Sequence, residues 1–310
     1  MSVSKTENAE TVRTFTHGDV SIDRESLLTS AQDGSRIASL RYRLSSRPVS
    51  ALPALVCLSN ELGCAEDMHR FALALYEHPP YPSALHAISL RGRGASQDAK
   101  ISGTSVTNDA DDLVAYCDAR NLHHADFLVT GRSIYVLLLA LIKRPGMARR
   151  VILNDAAPEF DAVAIARETA LNHRETPPSN WDDAIALLKK RKGEQFPAFG
   201  EKDWEHAASV RWTDKDGKPA PTIDKRLVRL SNASDFDAPQ PRLWREFKLL
   251  NTMPTLLIRG EHSALLTPEL AERMQASHPN LSIEIAQGQG HTPALHLANL
   301  PQIIHRFLAE

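Results

Sequence analysis

The chain of 310 residues reads as an α/β protein built on a mostly parallel sheet, and three observations predict it. Short apolar runs alternate with helical stretches from residue 54 to 155, which implies right-handed strand–helix–strand units. Central runs such as ALVCL (54–58) and FLVT (127–130) are apolar without alternation, as strands buried on both faces are. The alternation stops at Ala156 and resumes at Pro254, so an insertion interrupts one domain.

Taken in order, residues 1–20 are polar and expected to be loosely ordered. ESLLTS and RIASLRYRL flank the turn signal Gln32-Asp33-Gly34-Ser35 and predict an antiparallel hairpin that extends the sheet. ALVCL is the first central strand, and a helix follows from Met68 to Tyr76. LHAISL (85–90) is the next strand, closed by the glycine-rich turn RGRGASQ. A helix over 108–120, the strand FLVT, a helix over 134–142 and the strand RRVILND (149–155) complete the first half. TLLIRG (255–260), a helix over 268–276, LSIEIA (281–286) and a closing helix over 300–308 form the second. The core is therefore expected over 21–158 and 251–310, with residues 159–250 as an inserted, mainly helical lid. Within the lid, TDKDGKPAPTID reads as a loop. All four tryptophans (Trp181, Trp204, Trp212, Trp244) fall there, either as the lid's own core or as walls of an apolar pocket.

Composition excludes several classes. A net charge of −2 with no polybasic run gives no footprint for nucleic acid or an anionic membrane. No run of about 18 apolar residues predicts a membrane span, and the N-terminal stretch lacks an apolar signal core. The expected location is cytoplasmic. Cys57, Cys64 and Cys117 are odd in number and without CxxC spacing, so buried reduced thiols are expected. No metal-binding spacing such as HExxH occurs, and neither metal nor organic cofactor is expected. The expected partner is a small-molecule substrate. Self-association is compatible with the sequence.

One constellation carries chemistry. FLVTGRSIYVLLLALIKRP (127–145) reads as strand, sharp Gly-x-Ser turn and apolar helix. A serine nucleophile needs an oriented base and donors for the oxyanion. Loops at the carboxyl ends of parallel strands converge on one edge. Ser133, Asp155 and His291 each lie after a predicted strand, in the chain order Ser, Asp, His.

LVCLSNELGCAEDMHRFA, ISLRGRGAS, VTGRSIYV, VILNDAAPEF, TLLIRGEHSALLTPELAERM and GQGHTPALHLANLPQIIHRFL together resemble the α/β-hydrolase superfamily, in its lid-bearing esterase-like and carbon–carbon-hydrolase-like group. The resemblance covers about residues 25 to 310. It implies His291 as the base, Ser133 as the nucleophile and a lidded doubly wound sheet. It places the oxyanion hole at backbone N–H groups of Ile134 and of Glu61 or its neighbour Leu62, with Asn60 as a further side-chain donor. Arg132 stands where a charge could hold an anionic substrate group.

The sequence departs from the family pattern at four places. The second glycine of Gly-x-Ser-x-Gly is Tyr135. The usual His-Gly loop is Ser59-Asn60-Glu61-Leu62-Gly63. Ser89 replaces an aspartate before the turn Leu90–Ser96. Ala264 stands where the family commonly keeps its acid, in Glu261-His262-Ser263-Ala264. Three accounts of the acid stay open: Asp155 supplies it, Glu261 or no acid serves, or the protein is no hydrolase. The leading expectation is a serine hydrolase of an ester, thioester or activated carbon–carbon bond. The alternatives are a catalytically impaired ligand-binding or regulatory protein, and cofactor-free oxygen chemistry on a His–acid pair.

Overall fold

The computed structural model describes residues 11–17, 20–46, 51–60, 62–77, 79–96, 105–165, 178–224 and 241–310. Strands β1 (Thr11–His17), β2 (Val20–Ser30) and β3 (Arg36–Leu44) lead, and short β4 (Ala51–Leu52) precedes β5 (Leu55–Leu58). Helix α1 (His69–Leu75), β6 (Tyr81–Pro82), β7 (Leu85–Ile88), α2 (Val106–Ala119), β8 (Ala125–Thr130), α3 (Ile134–Lys143) and β9 (Ala148–Asn154) follow. Between β9 and the next core strand come α4 (Trp181–Lys192), α5 (Glu201–Arg211), β10 (Trp212–Lys215), β11 (Lys218–Pro221) and the short α6 (Trp244–Phe247). The chain closes with β12 (Thr255–Gly260), α7 (Pro268–Ser277), β13 (Leu281–Ala286) and α8 (Leu300–Ala309).

Among the described residues the main sheet has nine strands in the order β1-β2-β3-β7-β5-β8-β9-β12-β13. β1, β2 and β3 are antiparallel, and β3 meets β7 antiparallel. From β7 to β13 every pairing is parallel. The unbroken apolar character of the central strands has its reason here. Successive side chains point to opposite faces, and both faces are covered. Val56, Phe127, Val129, Val151 and Leu257 pack on one face with α3 residues such as Leu137. Leu55, Cys57, Leu128, Ile152 and Leu256 pack on the other with Phe71, Leu75, Ile304 and Leu308. The three cysteines are free and buried.

Two sequence expectations change. Residues 11–17 lie in the stretch read as loosely ordered, yet they form β1 against β2. The edge of a sheet gives a polar, alternating segment a backbone partner, with Phe15 packed edge-on to His69. Residues 1–10 of that stretch lie outside the described residues. TDKDGKPAP, read as a loop, contains the hairpin β10–β11. Its turn is Asp216-Gly217, both at positive φ, the geometry that an Asp-Gly pair favours in a two-residue hairpin.

α4, α5 and the hairpin share a small core of Ala184, Leu188, Phe196, Trp204, Ala208 and Trp212. Trp244 instead packs against the main core, with the Arg273 guanidinium 3.9 Å from its ring centre.

Candidate active site

Three strand ends build the site. β9 ends at Asn154, and Asp155 follows with φ +49, a left-handed turn that a short polar side chain tolerates better than most. Asp155 is fully buried. Its Oδ1 accepts the Gly260 N–H at 2.9 Å, and its Oδ2 accepts the Ser263 hydroxyl at 2.5 Å. The same Oδ2 lies 2.8 Å from His291 Nδ1. His291 sits on the loop beyond β13. That loop is pinned by Gln289, whose carbonyl accepts the His262 N–H at 2.9 Å and whose side-chain oxygen accepts the Ala294 N–H at 2.7 Å. With Nδ1–H donated to Asp155, His291 presents Nε2 as the acceptor.

The other candidate acids are elsewhere. Glu261 is exposed and accepts the Gly288 N–H at 2.7 Å. Ala264 is exposed. Ser263 ties the Ala264 loop to Asp155, so the departure at Ala264 leaves His291 with a carboxylate from the neighbouring strand.

The turn after β8 differs from expectation. β8 runs extended to Thr130, and the next residue, Gly131, carries the positive φ of +55. A Cβ on Gly131 would lie 3.3 Å from His291 Cε1 and 3.4 Å from His291 Nε2. The sharp strand-to-helix turn that aims a side chain at the base is therefore centred on glycine. Ser133, expected there, is already helical at φ −64 and ψ −11. It is buried, and its hydroxyl donates to the Ser59 carbonyl. No hydrogen bond joins it to His291. Ser133 is the small residue two places after the turn, where a close helix–strand approach needs one. Tyr135 is a further two places on and packs against Phe160 at 6.3 Å between ring centres.

The expected oxyanion donors are also redistributed. The Ile134 N–H is turned back to the Gly131 carbonyl. The Leu62 N–H donates to Asn60 Oδ1 at 3.0 Å, and the N–H groups of Gly63 and Cys64 are bonded to the Asn60 carbonyl and Asp67 Oδ2. Leu62 and Ile134 thus have no N–H left for an oxyanion. Glu61 lies outside the described residues. Because the Leu62 N–H fixes Asn60 Oδ1 as an acceptor, the other end of the amide is Nδ2, a donor. Asn60 lines the cavity, with its Cβ 3.6 Å from the Cβ position of Gly131. Arg132 is half-buried, and neither it nor Ser133 nor Ile134 lines that cavity.

The cavity, of about 260 Å³, lies between the strand ends and α4–α5. Phe71, Phe196, Phe199 and Trp204 give it apolar walls, with Asn60, Thr130, Asn154 and His291 at one end. Asp67, Asp203, His206 and His296 also line it. Burial pushes the Asp67 carboxyl up to about 7, against the Cys64 N–H that favours its charge. Burial, helped by His296, pushes His206 down to about 4. Asp203 on α5 accepts from Arg70 and from His296, the latter at 3.1 Å, which ties α5 to the core. Burial raises the Asp203 carboxyl, but His296, the Gly200 N–H and Arg70 together hold it below the usual range. Among the described residues no cluster of His, Cys, Asp and Glu could hold a metal ion, and no helix is long and apolar enough to cross a membrane.

No family model and no curated protein sequence matches the chain. Solved structures do. An α/β hydrolase from Novosphingobium aromaticivorans is 25% identical with a TM-score of 0.79, covering 92% of this chain and 98% of its own. This chain belongs to the α/β-hydrolase superfamily. E-2-(acetamidomethylene)succinate hydrolase (16% identity, TM-score 0.70, covering 97% and 99%) and an esterase from Exiguobacterium antarcticum (18%, 0.65, 91% and 99%) share the α/β-hydrolase fold with it. Gly131, Thr130, Asn154, Ser263 and Asp67 escaped the sequence reading of the site. For Gly131 a signal existed: FLVT ends at Thr130, so an α/β-hydrolase turn falls on the next residue and not three places on.

Proposed function

We propose that the protein is a hydrolase in which His291, oriented by Asp155, activates water directly, with no covalent intermediate on a serine. The observation that carries this reading is the glycine at the turn facing His291 Nε2. A base is aimed at a position with no side-chain nucleophile.

The substrate is a small, partly apolar molecule with an activated carbonyl, as an ester, thioester or carbon–carbon bond. Within residues 159–250, of which 166–177 and 225–240 lie outside the described residues, α4 and α5 act as the lid over it. Water attacks the carbonyl carbon while its proton passes to His291 Nε2. Asn60 Nδ2 donates to the developing oxyanion. Collapse breaks the bond to the leaving group, which takes the proton back from His291, and Asp155 holds the imidazole oriented throughout. General-base catalysis of this kind contributes roughly 10²–10⁴-fold. The same pair would also serve proton abstraction ahead of cofactor-free oxygen chemistry, which the acid after β9 favours as a second reading.

The test is a panel of p-nitrophenyl esters and thioesters, with intact-mass labelling by a fluorophosphonate and oxygen uptake followed on aromatic substrates. The expected result is hydrolysis lost in His291→Ala, kept in Ser133→Ala, and no phosphonate adduct on the native protein. An adduct on Ser133 that depends on His291 would overturn the water mechanism. Oxygen uptake without hydrolysis would select the second reading.

A further inference from the structure

Two buried polar atoms at the cavity that His291 lines have no partner among the described residues: Thr130 Oγ1 and Asn154 Oδ1. Their residues are opposite one another in the β8–β9 register, so both side chains point to the same face of the sheet. Both line the cavity. Thr130 precedes Gly131, and Asn154 precedes Asp155. Asn154 Nδ2 donates to the Pro293 carbonyl at 3.1 Å, two residues beyond His291. That bond fixes which end of the amide is which, since a carbonyl needs a donor. It leaves Oδ1 as the end without a partner. Unpaired buried polar atoms are rare in folded proteins, and ordered water is a common reason for them.

We propose that Thr130 and Asn154 are positioning residues that hold the water His291 activates. This rests on the hydrolytic reading above and names the site that reading requires. The hydrogen bonds balance for one water molecule. It donates one proton to Asn154 Oδ1 and one to His291 Nε2, and it accepts from the Thr130 hydroxyl. One lone pair remains, and it is the one that attacks. A water with three protein partners is typical of a built site.

The test pairs crystallography with kinetics on a p-nitrophenyl ester for the native protein, Thr130→Val, Thr130→Ser and His291→Ala. Expected is an ordered water within hydrogen-bond distance of Thr130 Oγ1, Asn154 Oδ1 and His291 Nε2, kept in His291→Ala and lost in Thr130→Val. Turnover in Thr130→Val should fall about 10- to 100-fold at unchanged KM, and Thr130→Ser should restore most of it. A merely structural threonine predicts otherwise: Thr130→Val would keep its turnover and melt higher, having lost an unpaired hydroxyl. That result, or a native crystal structure with no water between these atoms, overturns the proposal. If the native protein hydrolyses no ester yet holds the water, the water site stands and the hydrolytic reading fails.

Discussion

His291 Nδ1 and Asp155 Oδ2 lie 2.8 Å apart, joining the loop beyond β13 to the end of β9 across 136 residues of chain. Asp155 is held in turn by the Gly260 N–H and the Ser263 hydroxyl, so the imidazole is oriented by a carboxylate that cannot itself swing. Asp155→Asn keeps the shape but offers His291 an amide that can present the wrong group. Turnover should fall by roughly 10³–10⁴-fold, the scale seen when an orienting aspartate is lost. Ser263→Ala removes only a supporting bond and should cost about 10- to 100-fold. Steady-state kinetics on an activated ester compares the two. Equal losses would show that Ser263 does more than support Asp155.

Gly131→Ser would put a hydroxyl where the base already points. The new Cβ would sit 3.3 Å from His291 Cε1 and 3.6 Å from Asn60 Cβ, tight but not blocked. The left-handed φ of +55 costs a non-glycine residue about 1–2 kcal/mol, which chemical denaturation should register. The expected outcome is a gain: the variant takes up a fluorophosphonate at the introduced hydroxyl in a reaction that needs His291, whereas the native chain does not. Failure to label in a folded variant would mean the turn does not aim at Nε2.

Much of the fold and part of the site was legible in the sequence, for reasons visible in particular residues. TLLIRG and LSIEIA coincide with β12 and β13: the first is a central strand buried along its length, and the second alternates apolar and polar residues as a half-exposed edge strand does. The pairing of Asp155 with His291 was legible because Asp155 directly follows β9 and His291 lies on the loop beyond β13. Ser133 fits the spacing of a Gly-x-Ser motif, but β8 ends at Thr130 and the turn falls on the next residue, Gly131, before the serine is reached. The motif's glycine is itself the turn, and its serine plays the part of the small residue beyond. Thr130 and Asn154 carry no sequence signal: their lack of partners emerges only when β8 and β9 are in register. β1 was missed because edge pairing, not hydrophobicity, holds it.

Asp67 should make stability fall as pH rises. Its carboxyl is pushed from 3.8 to about 7 by burial, so the folded state keeps a proton that the unfolded state has released. Between those two values the folded protein binds more protons, and stability declines with increasing pH, levelling off above about 7. Asp67→Asn removes the titration while its side-chain oxygen can still accept the Cys64 N–H, now 3.0 Å from Asp67 Oδ2. The variant should melt above the native protein at pH 8 and close to it near pH 4. A difference independent of pH would assign Asp67 a purely structural role.

Buried imidazoles act in the opposite direction. His86 is lowered to about 3 and His206 to about 4, burial being the main cause in each. Tyr116 donates to Ser39 Oγ at 2.9 Å, so the 2.9 Å contact between Tyr116 and His86 Nδ1 is a bond donated by a neutral ring. Both histidines take up protons near 6.5 when unfolded but not when folded. Their contribution to stability is complete above 6.5 and is lost as pH falls from there toward 4 and 3. A urea titration repeated between about pH 7 and pH 4 should show it. His86→Gln should flatten that slope, whatever it does to the absolute stability. An unchanged slope would locate the acid sensitivity elsewhere.

The turn Leu90–Ser96, legible in the sequence as structural, is held by a buried charge network. Arg91 is buried. Its Nε and Nη2 lie 2.5 and 2.8 Å from the Asp112 carboxylate on α2, and its Nη1 lies 2.6 Å from Asp33. The network joins the β2–β3 turn to the end of β7 and to α2. Truncating one member of a buried pair leaves a desolvated charge behind, at a cost of about 3–5 kcal/mol. Arg91→Ala should therefore lower the unfolding free energy by that amount, seen as a lower urea midpoint with little change in slope. Removing both charges, as Arg91→Met with Asp112→Leu, should recover a large part of the loss, because neither ion then has to be buried. If the double variant is as unstable as Arg91→Ala, the pair's own attraction, and not the uncompensated charge, holds this corner together.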